Sequence, residues 1–150
     1  SWIEDSKDGV PTMLSYRTHL KKDSLFNTPP SLPVYVVGLV MEWILEQGGL
    51  EAVEKHNDRK AKMIYDTIDG SGGFYRGVVE KESRSKMNVT FRLPSEELEK
   101  KFVDEGARRG MLGLKGHRSV GGCRASIYNA MTIEGIEILV GFMEEFRKDN

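Results

Sequence analysis

Apolar positions recur with a helical period in the first half of the chain and with a strand period after it. Val36, Val40, Trp43 and Ile44 stand at i, i+4, i+7 and i+8, on one helix face. Pro30 or Pro33 suits the first turn of that helix, where a missing N–H leaves no bond unmade. Gly48-Gly49 interrupts it, and a second helix is predicted from Leu50 to Ile68 with Val53, Asn57, Lys60, Ala61 and Ile64 along one side. The stretch Asp69-Gly70-Ser71-Gly72-Gly73 ends it and is the strongest boundary in the sequence.

Beyond that boundary the period falls to two. Phe74–Glu80 reads as a strand, and Met87 to Leu93 as a second, with Met87, Val89, Phe91 and Leu93 facing one way. Ser95 is placed to cap a helix whose first turn is acidic; Leu98, Phe102, Gly106 and Arg109 follow at helical spacing, and Gly110 stops it. Short strands are expected near Met111–Leu114 and Arg124–Tyr128, separated by the loop Lys115 to Gly122. A last helix from Thr132 carries Ile136, Leu139, Val140, Met143 and Phe146. Ahead of the helices only Thr12–Tyr16 reads as a strand. Residues 71–150 therefore predict an α/β chain of the α+β kind, with helices packed on one face of a sheet.

Composition narrows the function classes. The 150 residues, 39% hydrophobic and 30% charged, suffice for one ordinary core. A net charge of −1 gives no electrostatic footprint for nucleic acid or an anionic membrane, so neither is expected as a partner. No apolar run reaches the roughly 20 residues that span a bilayer. The single cysteine, Cys123, points to a reducing, cytoplasmic setting. It lies between Gly122 and Arg124, where a neighbouring cation would lower its pKa; a structural role outweighs a reactive one, since no paired base or second cysteine accompanies it. His19, His56 and His117 make no metal-ligand spacing, and no metal is expected.

The most unusual stretch is Lys115-Gly-His-Arg-Ser-Val-Gly-Gly-Cys-Arg-Ala-Ser126. It gathers Lys115, His117, Arg118 and Arg124 around three glycines with no acidic residue inside it. Glycine lets backbone approach a ligand, and guanidinium forks match carboxylate or phosphate. Two readings stay open on composition, a site for a small anion and a solvated basic hairpin. A second candidate is Asn27-Thr28-Pro29-Pro30, which reads first as a helix cap and also as a phosphate site at a helix N-terminus.

Taken together, Pro11-Thr-Met-Leu-Ser-Tyr16, Asn27-Thr-Pro-Pro30, Gly48-Gly-Leu50, Arg84 to Leu93 and Lys115 to Ala130 resemble the phosphoserine aminotransferases, in order and spacing, over about residues 10–147. The resemblance implies a homodimeric, fold-type I pyridoxal-phosphate (PLP) enzyme that moves an amino group from glutamate to 3-phosphohydroxypyruvate, giving O-phosphoserine and 2-oxoglutarate. It implies that residues 1–30 end the large PLP-binding domain, 31–70 are connecting helices, and 71–150 form the C-terminal small domain with a mixed or antiparallel sheet.

Residue roles follow by match. Asn27 and Thr28 correspond to a pair on the PLP phosphate of the neighbouring subunit, His117 and Arg118 to residues on the substrate phosphate, and Arg124 to the arginine on the substrate α-carboxylate. The sequence does not begin with Met, and the family's cofactor-binding lysine belongs to a Gln-Lys-Asn-like stretch upstream of the matched part. No catalytic residue is therefore assigned here, and the chain alone is expected not to transaminate or hold PLP. The alternative is a non-catalytic module that binds small anions through the same loop.

Overall fold

A computed structural model describes Ile3, Asp5 and residues 7–150; Ser1, Trp2, Glu4 and Ser6, part of the expected 1–30 segment, lie outside the described residues. The chain divides into two compact units, one ending at Trp43 and the other running from Ile44 to Asn150.

In the first unit the expected strand at Thr12–Tyr16 does not form. Thr12–Leu14 is a 3-10 turn and Tyr16–Leu20 is a short helix, α1. The reason is local: Leu14 N–H donates to the Pro11 carbonyl at 2.8 Å and Ser15 N–H to Thr12 at 3.3 Å, so the backbone closes on itself. Helix α2, Ser31–Glu46, forms where the apolar period places it, with Pro33 in its first turn. None of its residues is buried, and Leu32, Val34, Tyr35, Val37 and Leu45 are all more than half exposed. A helix apolar on every side is the kind that ordinarily sits inside a larger body. No helix of the described residues is long and apolar enough to cross a membrane.

The second unit holds the core. Gly48 and Gly49, both with positive φ, end α2 and open α3, Leu50–Asp69. The predicted face of α3 is the buried one: Val53, Asn57, Lys60, Ala61 and Ile64 are all buried. Strands β1 (Arg76–Gly77), β2 (Asn88–Arg92) and β3 (Cys123–Ser126) form an antiparallel sheet in that spatial order, with Val89 opposite Ala125 and Phe91 opposite Cys123. Helices α4 (Glu96–Arg108) and α5 (Ile133–Asp149) join α3 over the inward side chains. Ser95 Oγ accepts from Leu98 N–H at 3.3 Å, the predicted cap of α4, and Thr132 caps α5 in the same way.

One predicted strand shrinks and another does not form. Phe74–Glu80 pairs only at Arg76–Gly77, because the Tyr75 ring turns into the core. Its hydroxyl donates to the Met143 carbonyl at 2.8 Å, and Ser71 Oγ accepts its N–H at 2.9 Å. Met111–Leu114 is a turn, since Gly110 and Gly113 take φ of 85° and 78°; only Lys115 makes an isolated bridge, to Cys123. Lys60 is fully buried, and its ammonium donates to the carbonyls of Ile127 (3.1 Å) and Tyr128 (2.7 Å), tying α3 to the end of β3.

Cys123 corrects the expectation of a lowered pKa. Burial pushes its thiol up to about 12, with the Glu99 carboxylate adding to the rise and Arg92 opposing it. In the unfolded chain the thiol titrates near its ordinary 9.0, so above that pH the unfolded state sheds a proton the folded state keeps. Stability is therefore lost as pH rises from 9 towards 12. Between pH 8 and pH 10 the parent chain should lose about 1 kcal/mol more stability than Cys123→Ala, read from denaturant midpoints. Equal losses would refute this.

Candidate functional site

The loop after α4 is folded by its glycines. Gly116 N–H donates to the Gly122 carbonyl at 2.8 Å, and the His117 carbonyl accepts from Val120 (2.9 Å) and Gly121 (2.8 Å). A Cβ on Gly116 would sit 2.1 Å from the Gly121 carbonyl oxygen, and Gly121 and Gly122 take φ of 73° and 71°. Both facts require glycine: one for close approach, the others for a left-handed backbone. The loop leaves Lys115, His117 and Arg118 exposed.

These side chains line a cleft of about 690 Å³, together with Arg92 of β2 and Glu96, Glu99, Lys100 and Asp104 of α4. The absence of acidic residues from the loop's sequence therefore does not carry over to space, because α4 brings carboxylates to the opposite wall. Among the described residues neither Lys115 nor Arg118 forms an ion pair; the carboxylate in closest use, Glu99, is engaged by Arg92 at 2.8 Å. The His117 ring is oriented from within the loop: Nδ1 accepts from Ser119 N–H at 3.3 Å and lies 2.7 Å from Ser119 Oγ. In the neutral ring this leaves the proton on Nε2 as a donor for a ligand.

Arg124 stands on β3 opposite Thr90, on the sheet face away from the core, and lines a second, more apolar cavity of about 400 Å³ with Leu112, Leu114, Ile136 and Leu139. Its Nε is enclosed and finds no acceptor among the described residues. The same holds for Nε of Arg84 and Arg147, so an external carboxylate at Arg124 would be met by its terminal Nη groups. The structure thus brings His117 and Arg118 together in one cleft and sets Arg124 in another on the same unit.

Asn27 and Thr28 are exposed on the loop before α2 in the first unit. Neither caps the helix: Ser31 N–H is taken by the Pro29 carbonyl at 2.8 Å and Val34 N–H by Pro30 at 3.1 Å, while the Asn27 amide rests 3.8 Å from Met13 Sδ. Their polar groups remain available beside a helix N-terminus, as a phosphate site requires. Sequence reasoning missed Arg92 and Glu99, which are distant from the loop along the chain; no local pattern marks them.

A family model for class-V aminotransferases matches residues 9–139. A phosphoserine aminotransferase of Herpetosiphon aurantiacus is 58% identical over 97% of this chain and 40% of its own length. A solved structure of the enzyme from Bacillus circulans subsp. alkalophilus is 58% identical, covers 98% of this chain and 41% of that one, and superposes with a TM-score of 0.88. A PLP-bound phosphoserine aminotransferase from Trichomonas vaginalis is 38% identical over 92% of this chain and 39% of its own, with a TM-score of 0.80. The chain spans about 40% of the length of these relatives.

The loop geometry makes a direct prediction. Gly116→Ala should open the hairpin, speeding hydrogen exchange at Gly116, Val120 and Gly121 at least tenfold while the amides of Phe102 and Met143 keep their protection. Unchanged loop exchange would show that the glycine contact does not hold the loop.

Proposed function

This chain belongs to the class-V aminotransferases, and on that footing we propose that it is the substrate-binding C-terminal part of a phosphoserine aminotransferase. The observation that carries the reading is the glycine-folded loop Gly116–Gly122, which holds Lys115, His117 and Arg118 on one cleft without ion-pair partners among the described residues. His117 and Arg118 bind the phosphate of O-phosphoserine or 3-phosphohydroxypyruvate. Arg124, which lines the second cavity, binds the α-carboxylate of these substrates and of glutamate and 2-oxoglutarate, fixing how the Cα–H is presented.

The residues present fit one end of PLP. Asn27 and Thr28, free of capping duties next to the α2 N-terminus, would hold its phosphate in the neighbouring subunit of a homodimer. The cofactor, when bound, supplies the electron sink that amino transfer needs. Its covalent anchor is not found in Lys60, whose amine is fully enclosed and bonded to two carbonyls, nor in Lys115 of the anion loop. Residues 1–30 then end the cofactor domain, 31–70 connect, and 71–150 form the small domain. The exposed apolar surface of α2 supports this reading, since a partner body would cover it. The setting is cytoplasmic.

The chain by itself should bind without transaminating. Mixed with PLP, O-phosphoserine and 2-oxoglutarate, it should form no glutamate; glutamate formation would overturn the inactivity. In calorimetry it should bind O-phosphoserine by its phosphate in the His117–Arg118 cleft, with Arg118→Ala weakening that binding at least tenfold, and Arg124→Ala should instead weaken binding of glutamate in the other cavity at least tenfold. Binding unaffected by both changes would sink the residue assignments.

A further inference from the structure

The guanidinium of Arg92 touches both the anion loop and the helix that faces it. Its Nε lies 2.8 Å from Glu99 Oε1 in an ion pair, and its Nη1 donates to the Val120 carbonyl at 2.9 Å. Glu99 is itself buried, and the same Oε1 accepts the Leu93 backbone N–H at 3.4 Å. The loop lies against the guanidinium: a Cβ on Gly121 would be 2.9 Å from Arg92 Nη1, and one on Gly122 would be 2.7 Å from Arg92 Cδ. The two glycines therefore serve a second purpose besides their left-handed backbone. They let the chain close over an arginine side chain.

We propose that Arg92 is the positioning residue of the anion site, joining the Val120 carbonyl to Glu99 so that His117 and Arg118 are held on the cleft. The inference rests on reading Lys115–Gly122 as the site for the substrate phosphate. One guanidinium donor is committed to the Val120 carbonyl and the charge is paired with Glu99, which distinguishes Arg92 from Arg118, whose charge has no partner among the described residues. A planar fork is needed to reach a carboxylate and a carbonyl at once, and an ammonium on a flexible stem does not provide it. Lysine at this position should keep the charge of the cleft and still release the loop.

The experiment compares the parent chain with Arg92→Lys, Arg92→Gln and Arg118→Ala, measuring amide hydrogen exchange and calorimetric binding of O-phosphoserine. Arg92→Lys and Arg92→Gln should speed exchange at Gly116, Val120 and Gly121 at least tenfold, leave Phe102 and Met143 protected, and weaken binding at least tenfold. Arg118→Ala should weaken binding with loop exchange unchanged. If both Arg92 variants leave loop exchange as in the parent, the proposal fails; lost binding with an unchanged loop would make Arg92 a direct ligand. Should the Arg92 variants not fold, Glu99→Gln reads the same loop amides, and their unchanged exchange would equally overturn the proposal. A parent chain that binds no O-phosphoserine would count against the function proposed for the loop, while the exchange arm would still decide the role of Arg92.

Discussion

Phe102 is fully buried where α4 meets everything else. Its ring meets Tyr75, Phe91 and Phe146 edge to face at 5.9, 5.8 and 5.2 Å between centroids, and Phe142 at 4.8 Å in a tilted pair. Those rings come from the turn before β1, from β2 and from α5, so one side chain fixes α4 against three parts of the unit. Truncating such a ring costs roughly 3–5 kcal/mol, a large share of the stability of any domain. The placement matters outside the core as well. Glu99 is one helical turn before Phe102, and Arg92 follows Phe91, so the buried pair Phe91–Phe102 is accompanied by a second contact between the same elements, the ion pair of half-buried Arg92 with buried Glu99. The anion loop is attached to that second pair. Its position is thus set by aromatic packing about one residue below it.

The period of two that builds the core also builds the site. Along β2 the side chains of Val89 and Phe91 go inward and those of Thr90 and Arg92 do not; along β3 Cys123 and Ala125 go inward and Arg124 does not. A slip of one residue in the β2–β3 register would turn one strand over, burying its arginine (Arg92 or Arg124) and exposing its core residues together. Core and binding groups are therefore specified by one register. Gly106 adds to the same arrangement: a Cβ there would come within 2.7 Å of Leu114 Cδ1, so the turn leading into the loop packs directly on the α4 backbone.

What the sequence made legible follows from this. The buried faces of α3 and α5 and the inward residues of β2 were readable, because amphipathic periods are local and core packing agrees with them. The cap Ser95 and the start of the last helix at Thr132 were readable for the same reason. The strand expected at Thr12–Tyr16 was not, since strand pairing depends on a neighbour, and the local bonds to Pro11 and Thr12 formed instead. Phe74–Glu80 shortened and Met111–Leu114 became a turn because the Tyr75 ring and the left-handed glycines answer to tertiary contacts. At the site, the loop's glycines and cations announced themselves, whereas the clamp of Arg92 on Glu99 and Val120 joins three separate stretches and has no sequence signature.

Lys60 shows why geometry has to accompany chemistry in such a reading. It is buried, and desolvation lowers its pKa, a combination that marks reactive amines in many enzymes. A reactive amine must also be reachable, and this one has no exposed surface and spends its donors on the Ile127 and Tyr128 carbonyls. Its effect is on position: it fastens α3 to the end of the strand that carries Arg124, while Arg92 fastens the loop that carries His117 and Arg118. Both cations are consumed in holding other cations in place. Among the described residues Lys115 and Arg118 are the cations of the cleft left without an ion-pair partner, and guanidinium and ammonium groups in that state are chemically suited to anions.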